Sequence, residues 1–228
     1  MKIGILGSGD VAKSLGAGLR RKGHDVMLGT SNTAKLAGWV AGSGGVRSGS
    51  FADAARFGEL AILAVKGTAA VAAVKAADPQ ALAGKPVIDA TNPIADKPPV
   101  NGVLQFFTGP NESLLEMLQR EFPAVRFVKA FNSVGHAHMI DPKFAGGAPT
   151  MFIAGSDDAA KAPVADWCAR RAGRVPTWAG RKPRVRSNRS ACCGAFPGCC
   201  TTTGRMRSSS SSRSDTARAP LPPGVVAG

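Results

Sequence analysis

The chain has 228 residues, of which 44% are hydrophobic and 19% are charged, and its formal net charge at pH 7 is +14. This length allows one ordinary domain, alone or with a tail, and excludes a large multidomain protein, while the composition excludes a fully disordered chain. The charge is uneven, because residues 172–228 carry ten Lys and Arg against one acidic residue. The basic character therefore belongs mainly to this tail, and it does not indicate a specific nucleic-acid partner for the rest of the chain.

The sequence contains no segment that predicts export or membrane insertion. Residues 1–9 pass from a short apolar run into a glycine turn, without the longer apolar region and cleavage site of a signal peptide. No apolar run approaches the roughly 20 residues that cross a bilayer. Cys168 is the only cysteine before residue 172, so no disulfide framework is expected there. We expect a soluble, cytoplasmic protein with no membrane partner.

Short apolar runs alternate with longer helical patterns over residues 1–171, as in βαβ units that build a parallel sheet. Apolar runs without polar alternation are typical of strands that are covered on both faces. The predicted strands are 2–6, 25–28, 60–65, 86–89, 126–130 and 150–154, and the predicted helices are about 11–22, 33–41, 67–76, 111–121 and 157–171. The pattern predicts an α/β fold of the Rossmann type, with one doubly wound, mostly parallel sheet.

The first predicted strand runs into a glycine turn and then into a helix. Residues 7–12 read GSGDVA, which is the G-x-G-x-x-A pattern of dinucleotide-binding units in its expected context. Glycine at the first position permits the tight turn, glycine at the third lets a pyrophosphate approach the backbone, and the helix N-terminus offers free N–H groups. The predicted phosphate-binding residues are Gly7, Ser8, Gly9, Asp10 and Val11.

The end of the second predicted strand bears on the choice between NAD and NADP. An NAD-specific site places Asp or Glu here to bind the ribose 2′-hydroxyl. Residues 29–35 instead read GTSNTAK, which supplies hydroxyls, an amide and a lysine but no carboxylate. A 2′-phosphate needs hydrogen-bond donors and a cation. We therefore predict NADP(H) as the cofactor, held by Thr30, Ser31, Asn32 and Lys35, while Ser31 or Thr33 could in addition cap a helix.

The later predicted strands end in residues suited to the rest of the cofactor. Val65, Asn92 and Asn132 lie at or just after strand ends, and the two asparagines open the long segments 92–110 and 132–149. Ligands of open α/β sheets bind at this edge. We expect Val65 to flank a ribose and the asparagines to contact ribose or carboxamide, and a loop-capping role is the alternative for each asparagine.

Two histidines in the segment 132–149 are the candidates for acid–base chemistry. His136 and His138 are two residues apart, and no third ligand at a suitable spacing accompanies them, so no metal site is predicted. His136 is the one candidate catalytic residue, as a neighbour of the hydride acceptor.

These motifs together resemble those of a known enzyme family. The glycine turn, GTSNT followed by Lys35, DATNP and VKAFNSVG are similar to those of the NADP oxidoreductases that depend on the deazaflavin coenzyme F420, and of the related reductase domain of the STEAP membrane metalloreductases. The resemblance covers about residues 1–170. It implies that the residues matching 8–11 line the phosphates, that those matching Thr30, Ser31 and Lys35 hold the 2′-phosphate, and that hydride passes directly between nicotinamide and a stacked deazaflavin or flavin.

The resulting hypothesis is an NADP(H)-dependent oxidoreductase with an NADP-binding domain over residues 1–171. Such a transfer depends on positioning the two rings and needs little acid–base help. Small-molecule redox cofactors are the expected partners, and a homodimer is compatible with this hypothesis. The alternatives are a non-catalytic NADP(H)-binding module, or an enzyme of the β-hydroxyacid-dehydrogenase or imine-reductase type, which relies on a large C-terminal helical domain.

The tail, residues 172–228, differs from the family, whose members continue with an apolar helical segment. It has no Ile and one Leu, and Arg, Ser and Pro dominate, so it is expected to be disordered. Its paired cysteines lack the usual zinc spacing, and its arginines predict only nonspecific binding of polyanions. When residues 176–210 are back-translated and read one base earlier, they can encode an apolar string like the missing helix. The hypothesis is that a frameshift near residues 172–175 produced the tail.

Overall fold

Six parallel strands form the central sheet of the computed structural model, which describes residues 1–145 and 150–172. The strands are β1 (Lys2–Leu6), β2 (Asp25–Gly29), β3 (Arg47–Gly49), β4 (Leu60–Leu63), β5 (Pro86–Asp89) and β6 (Arg126–Lys129), in the order β3-β2-β1-β4-β5-β6. This is the Rossmann order, and the strand sequence reverses between β1 and β4, where such sheets open a binding crevice. The predicted fold is confirmed.

One predicted strand is wrong and one strand was not predicted. Residues 150–154 form no strand, because their contact with the sheet is a single antiparallel bridge between Ala154 and Lys129. Met151 and Ile153 are buried, so the apolar run contributes to the core without extending the sheet. The strand that was not predicted is β3, at the edge of the sheet opposite β6. Its sequence Arg-Ser-Gly lacks the apolar character by which short strands are found.

Helices cover both faces of the sheet. They are α1 (Asp10–Arg21), α2 (Ala37–Ala41), α3 (Phe51–Phe57), α4 (Ala70–Ala76), α5 (Pro79–Leu82), α6 (Leu114–Glu121) and α7 (Asp158–Ala172), with short 3-10 turns at Thr33–Leu36, Gly67–Ala69 and His136–His138. The sequence patterns did not predict α3 and α5. A capping box of Ser50 and Asp53 starts α3. A second capping box, of Ser113 and Glu116, starts α6 at Leu114, three residues later than the predicted start at 111.

Buried apolar side chains divide into two clusters, one on each face of the sheet. Successive strand residues alternate between them: Ile62 and Ile88 belong to the cluster with α1 and α7, and Leu63 and Val87 to the cluster with α3, α4 and α6.

No helix in the described part of the chain is long and apolar enough to cross a membrane. The predictions for residues 173–228 lie outside the described residues.

Candidate functional site

The glycine turn links β1 to α1 at the crevice of the sheet. Gly7 has φ of +151° and donates its N–H to the carbonyl oxygen of Gly29 at 2.9 Å. A Cβ at Gly7 would lie 2.2 Å from the carbonyl oxygen of Ala64, so glycine is required for the turn to pack against the end of β4. Gly9 differs, because a Cβ there would meet nothing within 4 Å. The surface above Gly9 is therefore open to a ligand.

The N-terminus of α1 faces this open surface. Gly9 is the N-cap residue in extended conformation, and no side chain makes a capping hydrogen bond to this helix. The free N–H groups of a first helical turn bind phosphate, and the helix dipole adds a partial positive charge. Asp10 and Val11 begin the helix, so the predicted phosphate-binding residues are contiguous in space as well as in sequence.

The turn after β2 is joined to the glycine turn by side-chain hydrogen bonds. The Thr30 hydroxyl donates to the Ser8 hydroxyl at 3.3 Å and accepts from the Asn32 N–H at 3.2 Å. Asn32 in turn accepts from the Lys35 N–H at 3.3 Å and is the N-cap of the 3-10 turn that follows, in place of the predicted Ser31 or Thr33. Thr30 is buried, whereas Ser31, Asn32 and Lys35 are exposed.

This patch has the chemistry of a phosphate site. It presents hydroxyl and amide groups with the Lys35 ammonium, and residues 29–36 contain no carboxylate. A 2′-phosphate is favoured by such donors, whereas a bare ribose 2′-hydroxyl would be bound by an acidic residue.

The loops after β4, β5 and β6 are packed against one another at the same edge. A Cβ at Gly67 would lie 2.1 Å from the carbonyl oxygen of Asn92, so the first two loops meet through their backbones. The Asn92 side-chain amide donates to the Asn132 carbonyl oxygen at 2.8 Å, and the Asn132 amide donates to Asn92 Oδ1 at 3.4 Å. The two predicted asparagines are thus brought together. Val65 is half-buried and packs against the core cluster of α3, α4 and α6.

A buried charged network, which the sequence patterns did not predict, lies beside these asparagines. Lys129 Nζ is 2.6 Å from Asp89 Oδ2 and donates to the Thr91 carbonyl oxygen at 2.7 Å. Asp89 Oδ1 accepts from the Thr91 N–H and hydroxyl at 2.9 and 2.6 Å. The available signal was a charged residue at the end of each of two apolar strands. The network fixes the turn that leads into Asn92.

Phe131 places Asn132 through an unusual backbone conformation. Its φ is +64°, in the left-handed region, and its fully buried ring packs edge-on against Trp167 at 6.0 Å between centroids. A non-glycine residue in this region costs about 1–2 kcal/mol, which the packing of the ring must offset. The conformation turns the chain so that the Asn132 carbonyl reaches Asn92.

His136 lies against α1. Its Nδ1 is 3.0 Å from the Ser14 hydroxyl, and the residue is exposed. This contact places His136 one helical turn beyond the phosphate-binding turn. Within the described residues, His136 forms no hydrogen bond with Asn92 or Asn132. His138 packs against Phe144, with ring centroids 4.9 Å apart. Within residues 1–145 and 150–172, no group of three or more His, Cys, Asp or Glu could hold a metal ion.

The long segment that follows Asn92 forms an irregular hairpin. Val100 and Val103 exchange backbone hydrogen bonds of 3.0 and 2.9 Å across Asn101 and Gly102, whose φ values are +50° and +76°. The Asn-Gly pair between apolar residues was a readable hairpin signal. The hairpin lies in the segment between β5 and α6.

Comparisons with known proteins match this chain to one enzyme family and to several solved structures. The family of coenzyme F420-dependent NADP oxidoreductases matches residues 2–93. A solved structure from Arthrobacter sp. FB24, a candidate F420-dependent NADP-reductase, is 34% identical, with a TM-score of 0.70 over 77% of this chain and 83% of that chain. No match was found among curated proteins.

More distant structures share the fold alone. A hypothetical protein of Sinorhizobium meliloti is 22% identical over 77% of this chain and 83% of that chain, with a TM-score of 0.63. An imine reductase of Streptomyces aurantiacus is 14% identical, with a TM-score of 0.60, and the match covers 83% of this chain and 59% of the imine reductase.

Proposed function

Because the chain belongs to the family of coenzyme F420-dependent NADP oxidoreductases, we propose that it transfers a hydride between NADP(H) and a deazaflavin such as coenzyme F420, or a flavin. The observation that supports NADP(H) as the cofactor is the hydrogen-bonded patch of Ser8, Thr30 and Asn32, with Lys35 beside it and no carboxylate in the same segment. The deazaflavin or flavin acceptor is proposed from the family.

The residues present fit the dinucleotide. The open surface at Gly9 and the uncapped N-terminus of α1 suit the pyrophosphate, with Gly7, Ser8, Asp10 and Val11 forming the rest of the turn. Thr30, Ser31, Asn32 and Lys35 suit the 2′-phosphate. When bound, the nicotinamide ring supplies or accepts the hydride.

The chain contributes binding and orientation to this reaction. Asn92 and Asn132 hold the loops after β5 and β6 together and offer amide groups to the nicotinamide half of the cofactor. The buried pair of Asp89 and Lys129 fixes the turn before Asn92, so that these amides have a defined position before the cofactor binds. Rings held face to face react with little further help, because correct placement removes most of the entropic barrier.

The direct test follows the visible absorbance of coenzyme F420 on mixing with the full-length protein and NADPH or NADH. Bleaching that is much faster with NADPH than with NADH supports the proposal, since the two donors differ only in the 2′-phosphate. Equal rates would contradict the role given to Lys35 and its neighbours. Binding of NADPH with no bleaching of F420 or of a flavin would leave a dinucleotide-binding module without this activity.

A further inference from the structure

A groove with a volume of about 300 Å³ lies on the outer face of α1, beyond the glycine turn. Its floor is the helix surface at Lys13, Ala17 and Arg21, which are four residues apart and so lie on one face. Trp39, after β2, and Ile140, after β6, also line it. The groove is large enough for a small molecule.

Positively charged side chains are found near both ends of this groove. Lys13 and Arg21 are two helical turns apart, about 12 Å along the axis. Neither forms an ion pair with any residue in the described ranges, whereas Arg20 and Lys22 on the same stretch of chain pair with Asp25 and Asp141. The groove thus contains two cations that the described part of the protein leaves unneutralised.

One wall of the groove is fixed by contacts between α1 and the loop after β6. The hydrogen bond between Ser14 and His136 Nδ1, at 3.0 Å, holds the loop after β6 against the helix. Ile140 packs on Gly18 so closely that a Cβ on this glycine would lie 2.8 Å from it. Trp39, Ala17 and Ile140 add apolar surface to a lining that also contains the polar side chains of Ser14 and His136.

We propose that this groove binds a small dianion with a flat apolar middle. Its two acid groups pair with Lys13 and Arg21, and its middle lies over Ala17 beside Trp39 and Ile140. The site shares no residue with the proposed NADP(H) site, and the inference stands whether or not the protein transfers hydride.

A rigid aromatic dicarboxylate, biphenyldicarboxylate, is a suitable probe for isothermal titration calorimetry with the full chain. We expect saturable binding at one site, and weaker binding of the matched monocarboxylate. The double variant Lys13→Gln/Arg21→Gln should bind the probe about fivefold or more weakly, since each surface ion pair adds a modest amount. Ala17→Trp, which fills the groove and keeps both charges, should also reduce binding.

The control variant Lys75→Gln/Arg120→Gln removes the same charge from α4 and α6 on the opposite face of the sheet, and it should bind like the wild type. Circular dichroism confirms that each variant is folded. No saturable binding, or an equal loss in the control variant, would overturn the proposal. If NADP⁺ competitively displaced the probe, the groove would not be a site separate from the NADP(H) site, and the proposal would be overturned.

Discussion

Lys129 and Asp89 form an ion pair in the interior of the protein, with Nζ and Oδ2 2.6 Å apart and side chains 4% and 0% exposed. The two residues are register partners at the ends of β6 and β5. Thr91 supplies further hydrogen bonds to both, so neither charge is left without partners. A buried pair of this kind is costly to break, because the remaining charge stays in a region without water.

Replacing Lys129 with Met should therefore lower the free energy of unfolding by about 3–5 kcal/mol. Urea denaturation of the wild type and the variant measures the difference. Adding Asp89→Asn to the same variant should recover part of the loss, because the uncompensated carboxylate is removed. The control is Lys75→Gln, which breaks the exposed pair with Glu121 and should change stability little. A similar small loss in both lysine variants would contradict this account.

Gly9→Ala should separate cofactor binding from folding. The added Cβ meets nothing within 4 Å, and the backbone of Gly9 is extended, so stability should be unchanged. The methyl group nevertheless occupies the surface where the pyrophosphate would approach. We expect the dissociation constant of NADPH to rise about tenfold or more, a change of about 1.4 kcal/mol. Gly7→Ala, with its clash against Ala64, should instead fail to fold or unfold at much lower urea. Unaltered NADPH binding by Gly9→Ala would rule out this position for the pyrophosphate.

Asn32→Asp should weaken the expected preference for the phosphorylated cofactor. Aspartate can still accept the hydrogen bond from the Lys35 N–H, so the 3-10 turn should remain capped. Its negative charge repels a 2′-phosphate and can accept from a ribose 2′-hydroxyl. The dissociation constant for NADPH should rise about tenfold relative to that for NADH. Parallel fluorescence titrations with the two cofactors measure the ratio, and an unchanged ratio would show that this turn does not contact the 2′ position.

The capping box of α3 should make stability depend on pH. Hydrogen bonds from the Ser50 hydroxyl, then from its backbone N–H and from Arg56, hold the pKa of the Asp53 carboxyl below its ordinary value. Because the folded-state pKa is the lower one, this stabilisation is complete above about pH 4 and is lost as the pH falls through the folded-state pKa. Thermal unfolding from pH 7 to pH 3 should show the wild type losing its advantage over Asp53→Asn only in the acid range. A constant difference would argue against the ionised carboxylate.

The coding DNA tests the frameshift hypothesis for residues 172–228. A one-base difference near the codons for residues 172–175, relative to close relatives, would support it. An uninterrupted frame shared by relatives that carry the same tail would disprove it.

Local signals in the sequence determined most of the sheet and the position of the cofactor crevice. The glycine turn is specified by six consecutive residues, and strands such as β1 and β4 are continuous apolar runs. The turn from Thr30 to Lys35 is equally local, because its chemistry depends on residue types within one short segment. Patterns of this kind can be read without knowing the fold, since each depends only on chain neighbours.

The tertiary structure alone decided the features that join distant parts of the chain. Asp89 and Lys129 are 40 residues apart, as are Asn92 and Asn132, and only parallel strand pairing makes them neighbours. The polar edge strand β3 and the apolar residues 150–154 were assigned wrongly for the same reason, because sheet membership depends on an available partner as well as on hydrophobicity. Composition specifies which residues can be buried, and packing determines which of them meet.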